Sequence, residues 1–244
     1  MCCFSGPVED VAATRIFARM ASPGRQILAY EMVFAAADPV AMILPLPTPP
    51  GSAETDVRFI SLEGYPALFE DLFAAFQQRL RGSRSVGSRS QPLAVQVVGA
   101  FVASFVPTLA DFARLDPRFR IPPGTVECVP DYSDYGFAVF QLGATKQRSR
   151  AHPMAFEFST RDPERLFFPL LHVHDGQLHR EAEFDHALYV QGWVMHGEFE
   201  HCFEPVRGTM QDASARLVVD LDAGISRRTM IGTLPNRDGW LRVQ

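Results

Sequence analysis

The chain has 244 residues, 47% of them hydrophobic, with 20 phenylalanines and a formal net charge of −5. That apolar supply is enough to bury a sizeable core, and the acidic balance leaves no basic footprint for nucleic acid. No run of about 18 or more apolar residues marks a transmembrane helix. No basic stretch followed by an apolar one marks a secretory signal, so the expected setting is cytoplasmic, with no membrane partner.

Thr14–Met20 alternates and reads as a strand, closed by the Ser22-Pro23-Gly24 turn. Gln26–Ala35 and Pro39–Leu46 are β-type runs joined through Ala37-Asp38-Pro39, the pattern of a hairpin or meander. The Leu44-Pro45-Leu46-Pro47 stretch is expected to end a sheet edge, because proline has no N–H to give to a ladder. Asp56–Leu62 reads as a further strand. Tyr65–Leu80 is the clearest helix: Pro66 suits the first turn, and Leu68, Leu72, Phe73, Phe76 and Leu80 recur on one face.

Residues 81–91 are rich in Gly, Ser and Arg and are expected to form a mobile loop. Leu93–Val106 is apolar and β-branched, which predicts a buried strand. Thr108-Leu109-Ala110-Asp111 has capping-box spacing for a short helix to Leu115. Gly136–Leu142, Met154–Phe158, Leu166–His174 and Ala187–Val194 follow as strands, then a short helix near Thr209 and a last strand at Thr229–Leu234. Many short strands with few helices predict a single compact α+β domain over 1–244, built on a mainly antiparallel sheet.

The chemistry-bearing residues concentrate at the two ends. All seven histidines (152, 172, 174, 179, 186, 196 and 201) lie in the second half. If Leu171–Asp175 is a strand, its period of two puts His172 and His174 on the same face, where neutral imidazoles suit zinc or copper. His186, after Asp185, is the expected third ligand or a partner that orients the ligands. The four cysteines are Cys2, Cys3, Cys128 and Cys202, too few for a disulfide scaffold. Adjacent Cα atoms lie about 3.8 Å apart, below the roughly 4.4–6.8 Å of a disulfide, so Cys2 and Cys3 are expected as free thiols.

Two functional readings use these residues. In the first, Cys2 and Cys3 fold onto the His172/His174 face and complete a mixed thiolate–imidazole site for a copper or zinc ion. In the second, removal of Met1 exposes Cys2 as an N-terminal nucleophile for amide hydrolysis, with its own α-amino group as base; Phe4 departs from the small residue usual at that spacing. A non-catalytic interaction domain is a third reading. No nucleophile elbow, phosphate loop or Cys-x-x-Cys is present, and no substrate is specified.

The Cys2-Cys3-Phe4 start, Ile43-Leu44-Pro45-Leu46-Pro47, and Val98-Gly99-Ala100-Phe101 leading to Leu109-Ala110-Asp111-Phe112 occur together. So do Tyr135-Gly136-Phe137-Ala138-Val139-Phe140 and His152-Pro153-Met154-Ala155-Phe156-Glu157-Phe158. As a set they resemble an uncharacterised bacterial family of unknown function. The resemblance implies a shared fold and carries no activity or site residues with it.

Overall fold

Period-two alternation organises the molecule and places apolar side chains on both faces of its central strands. The computed structural model describes residues 2–81, 96–98, 101–122, 124–125, 132–145, 147–173, 177–192, 194, 197–210 and 212–243, with backbone only for Cys2, 78–81 and 96–98. The described strands are β1 (Cys2–Phe4), β2 (Asp10–Ser22), β3 (Arg25–Ala35), β4 (Val40–Leu46), β5 (Val57–Ile60), β6 (Gln96–Val98), β7 (Val102–Val106) and β8 (Gly136–Leu142). They continue with β9 (Ser149–Ala151), β10 (Met154–Ser159), β11 (Arg165–Phe168), β12 (His172–Val173), β13 (Glu181–Gln191), β14 (Glu200–Cys202), β15 (Ile225–Pro235) and β16 (Gly239–Arg242). The α-helix is α1 (Leu68–Arg81), and short 3-10 turns fill several connections.

One sheet has the order β12-β1-β4-β8-β7. A larger one runs β14-β15-β13-β2-β3-β10-β5, with β9 joining β3 to β6, and β11 with β16 forms a separate ribbon. The protein is thus mostly β with few helices, as the sequence predicts, but its sheets are mixed. The pairs β1/β12, β2/β13 and β6/β9 are parallel. Parallel neighbours need a long crossover, and here β2 pairs with a strand about 170 residues downstream, as in Thr14 opposite His186.

The layers follow from the alternation. In β4, Val40, Met42, Leu44 and Leu46 enter the main core between the two large sheets, while Ala41 and Ile43 face the opposite side. In β3, Leu28, Tyr30, Met32 and Phe34 enter the same main core, whereas Ile27 and Ala29 pack under α1. Full burial of one such side chain stabilises by roughly 1.5–3 kcal/mol, so the two doubly buried strands hold the layers together. The outer face of the smaller sheet is closed by Phe112 and Phe119 from 3-10 turns.

Several expectations are corrected in detail. The helix buries Leu68, Leu72 and Phe76 as expected, but Phe69 goes inward and Phe73 is 37% exposed. Phe73 instead lies under the Arg227 guanidinium, 4.8 Å from its ring centre. β4 continues through Pro45; among the described residues β1 pairs with Met42 and Ile43 of β4 and not with Pro45. Leu166–His174 is two strands, β11 and β12, in different sheets; Pro169 between them lacks the donor a continuous ladder needs. At Thr108 the hydroxyl donates to Asp111 Oδ2 at 2.7 Å, with no bond to the backbone, and Leu109–Arg114 is a 3-10 turn. Apart from Arg81, the loop expected at 81–91 lies outside the described residues, as does part of the Leu93–Val106 run.

A buried charge network fixes α1 to the sheet. Glu31 on β3 is 1% exposed, with Arg15 2.5 Å and Arg150 3.4 Å away. Both arginines also reach Glu70 on α1. Burial raises the Glu31 carboxyl to about 7, with Arg15 pulling in the opposite direction.

Candidate functional site

The Cys2-Cys3-Phe4 segment does meet the His172 strand. β1 lies inside the smaller sheet, parallel to β12 with Cys2 opposite His172 and Cys3 opposite Val173, and antiparallel to β4 with Cys3 opposite Ile43. Partners in register share a face. Cys3, Ile43 and Val173 therefore pack in one apolar cluster with Phe137 and Leu171. Phe4 and Met42 enter the main core on the other side. Cys3 is 1% exposed, and its thiol makes a weak donor contact to the Phe4 carbonyl at 3.9 Å.

His172 alternates to the face opposite Val173, away from the Cys3 sulfur. There its Nε2 lies 3.2 Å from Nε2 of His186, and its ring stacks on Phe184 with centroids 4.6 Å apart. His186 sits in β13, 6% exposed, between Thr14 of β2 and Met230 of β15. The Asp185 N–H donates to His186 Nδ1 at 3.1 Å. That nitrogen is then an acceptor, so neutral His186 carries its proton on Nε2 and donates it to His172 Nε2. Beside the pair, the β2 chain bulges between Ala12 and Arg15, with Ala13 at φ 49°. The Ala13 N–H donates to Asp185 Oδ2 at 3.0 Å, which gives the left-handed residue a fixed partner. A cavity of about 220 Å³ opens here, bounded by Val11, Thr14, His172, Glu183 and His186.

The β12 end is held from the other side by a loop that the sequence reading passed over. Asn236 Oδ1 accepts the His172 N–H at 2.6 Å, and its Nδ2 donates to the His172 and His179 carbonyls at 2.9 and 3.0 Å. Asp238 Oδ1 accepts the Leu170 and Leu171 N–H groups at 2.9 and 3.0 Å, and its Oδ2 takes the Tyr132 hydroxyl. Burial, and then Asp238, push the Tyr132 hydroxyl well above the usual phenol range. The Asn236-Arg237-Asp238-Gly239 composition is the available sequence signal, since Asn and Asp in a turn bond nearby backbone.

The structure thus brings together Cys2 backbone, His172 and His186, and separates Cys3 from them. His174, His196 and Cys128 lie outside the described residues, as do Met1 and the Cys2 side chain. His179 is exposed. His201 is 2.8 Å from the Ser226 hydroxyl and stacks on Phe203, and Cys202 is buried under α1. Among the described residues no group of three or more His, Cys, Asp or Glu side chains is placed to hold a metal ion. The expected metal-binding function is therefore corrected: of the candidate copper or zinc ligands Cys2, Cys3, His172, His174 and His186, the described side chains place Cys3 apart from His172 and His186, and His174 and the Cys2 side chain lie outside the described residues. The physical reason within β1 is parity: Cys3 takes the apolar face and His172 the other. Among the described residues no helix is long and apolar enough to cross a membrane.

Against solved structures, the chain is similar in fold to baculovirus P35, with a TM-score of 0.56 at 13% identity over 99% of this chain and 99% of that one. It is also similar to a mutated baculovirus P35 after caspase cleavage, with a TM-score of 0.51 at 13% identity over 96% of this chain and 100% of that one. No family model matches, and no curated protein matches.

Proposed function

We propose that this chain is a non-catalytic protein-binding domain whose partner is a peptidase. One observation carries the reading: the likeness to the P35 fold runs through 99% of both chains, and one of the P35 structures was solved after caspase cleavage. A fold hosts many activities, so the proposal passes through that comparison and not through a catalytic constellation. The absence of a three-ligand metal group among the described residues favours it over the metalloenzyme reading.

The class of peptidase is open to a direct test. Between Asp71 and Asp111 the sequence carries four arginines (79, 81, 84 and 89) and no acidic residue. Gly/Ser-rich sequences are preferred sites of nicking wherever they are exposed. The full chain is incubated with a caspase and with an arginine-directed peptidase, residual activity is titrated, and complexes are separated by size exclusion. Inhibition that reaches completion near equimolar ratio, with a co-eluting complex, is the expected result. Full activity of both enzymes at a tenfold excess of the chain, with no complex, would sink the proposal; mass spectrometry locates any cut.

A further inference from the structure

A second cavity, of about 200 Å³, opens between β5, β8 and β10 and is lined by Phe59, Phe101, Phe140, Met154 and His152. The rings meet edge-on: Phe59 and Phe101 stand at 88° and 85° to Phe140, with centroids 5.5 and 6.3 Å away. Such an arrangement leaves ring faces and edges for a further aromatic group. An apolar cavity of about 150 Å³ suffices for benzene, so this one has room for a substituted ring.

Ser61 and Glu63 are exposed at its rim, and among its buried lining residues the unpartnered side-chain polar atom is His152 Nε2. His152 is 5% exposed and lies 4.2 Å, centre to centre, from the Phe101 ring. Its Nδ1 is 3.2 Å from the Pro153 carbonyl oxygen, which can only accept, so Nδ1 carries the proton. Nε2 is then a bare acceptor, buried and without a hydrogen-bond partner among the described residues, a rare state for a buried polar atom. Burial also lowers the basicity of this imidazole, which keeps it neutral. Exposed Glu63 stands at the rim and disfavours anions. A matching ligand is flat, apolar and uncharged and has one hydrogen-bond donor; phenols, ionising only near about pH 10, meet each condition.

We propose that this cavity is a binding site for a phenol, its ring among Phe59, Phe101 and Phe140 and its hydroxyl donating to His152 Nε2. The site is independent of the peptidase-binding reading and stands or falls without it. The ring arrives either free or as a tyrosine side chain, and two probes separate these: p-cresol and N-acetyltyrosine amide. Binding of p-cresol alone assigns the site to small phenols, and binding of both assigns it to tyrosine.

Calorimetric titration of the full chain compares p-cresol with toluene and 4-methylanisole, which keep the ring and lack the donor. The expected result is saturable p-cresol binding about tenfold tighter than either control, the scale of one hydrogen bond. Ser61→Phe, at the exposed rim, is expected to weaken p-cresol at least tenfold by filling the mouth. His152→Phe and His152→Asn are both expected to bring p-cresol down to the level of toluene. The Asn variant covers the case in which Phe disturbs folding. No saturable p-cresol binding, equal affinity for p-cresol and toluene in the unaltered chain, or unchanged affinity in Ser61→Phe overturns the proposal.

Discussion

His186 and His152 are equally withdrawn from solvent, 6% and 5% exposed, yet their hydrogen-bonding differs completely. His186 uses both ring nitrogens, Nδ1 toward the Asp185 N–H and Nε2 toward His172. His152 uses one and leaves the other buried without a partner among the described residues, beside an aromatic cavity. Burial is therefore a poor guide to what a histidine does; the count of ring nitrogens already engaged is the better one. A saturated imidazole contributes to structure, and a half-used one retains capacity for a ligand.

The comparison breaks most visibly at the footing of the saturated pair. Asn236→Ala removes the acceptor of the His172 N–H and the donor to two carbonyls. It is expected to lower the unfolding free energy by about 2–3 kcal/mol in denaturant titration. His186→Phe keeps the apolar volume but strips His172 Nε2 of its ring partner, an expected loss of about 1–2 kcal/mol. Adding His172→Phe to that variant is expected to cost less than it does alone, with a coupling of at least about 0.5 kcal/mol in the double-mutant cycle. Additive losses would show that the two rings do not depend on each other. The smallest effect belongs to His152→Phe, which gives up the Nδ1 contact with the Pro153 carbonyl but no bond to Nε2, an expected loss of about 0.5–1 kcal/mol. A loss equal to that of His186→Phe would mean that Nε2 is engaged after all, and the contrast would collapse.

Much of the strand pattern was legible because local composition and tertiary demand agree. Gly136–Leu142 is a strand from end to end as expected, and Gln26–Ala35 differs from β3 by one residue. Where they disagree, long-range pairing decided. Nothing in Cys2-Cys3-Phe4 specifies a parallel neighbour at His172-Val173. That pairing set the parity which sent Cys3 into the apolar layer and ruled out its role as a ligand. Phe69 and Phe73 have the same local propensity, and Phe73 takes the exposed place under the Arg227 guanidinium of β15, a partner that the local sequence does not announce. His186 was recognised, but its partner was expected to be a metal ion and is the His172 ring. In the sequence His152 stands only as one of seven histidines and within the 152–158 segment, because a volume bounded by β5, β8 and β10 has no signature along the chain.

The pairing of β1 with β12 also imposes an order on biosynthesis. The neighbours of residues 2–4 at His172 and Val173 leave the ribosome about 170 residues after them, which at about 5–20 residues per second is on the order of 10–30 s. Through that interval the nascent chain carries an apolar strand, and a β2 still lacking β13, without their native flanks. Contacts of such long sequence separation slow folding, and unpaired apolar strands are the ones that aggregate. Strands completed only by partners about 170 residues later therefore make any factor that shields an emerging strand a determinant of the yield of this protein.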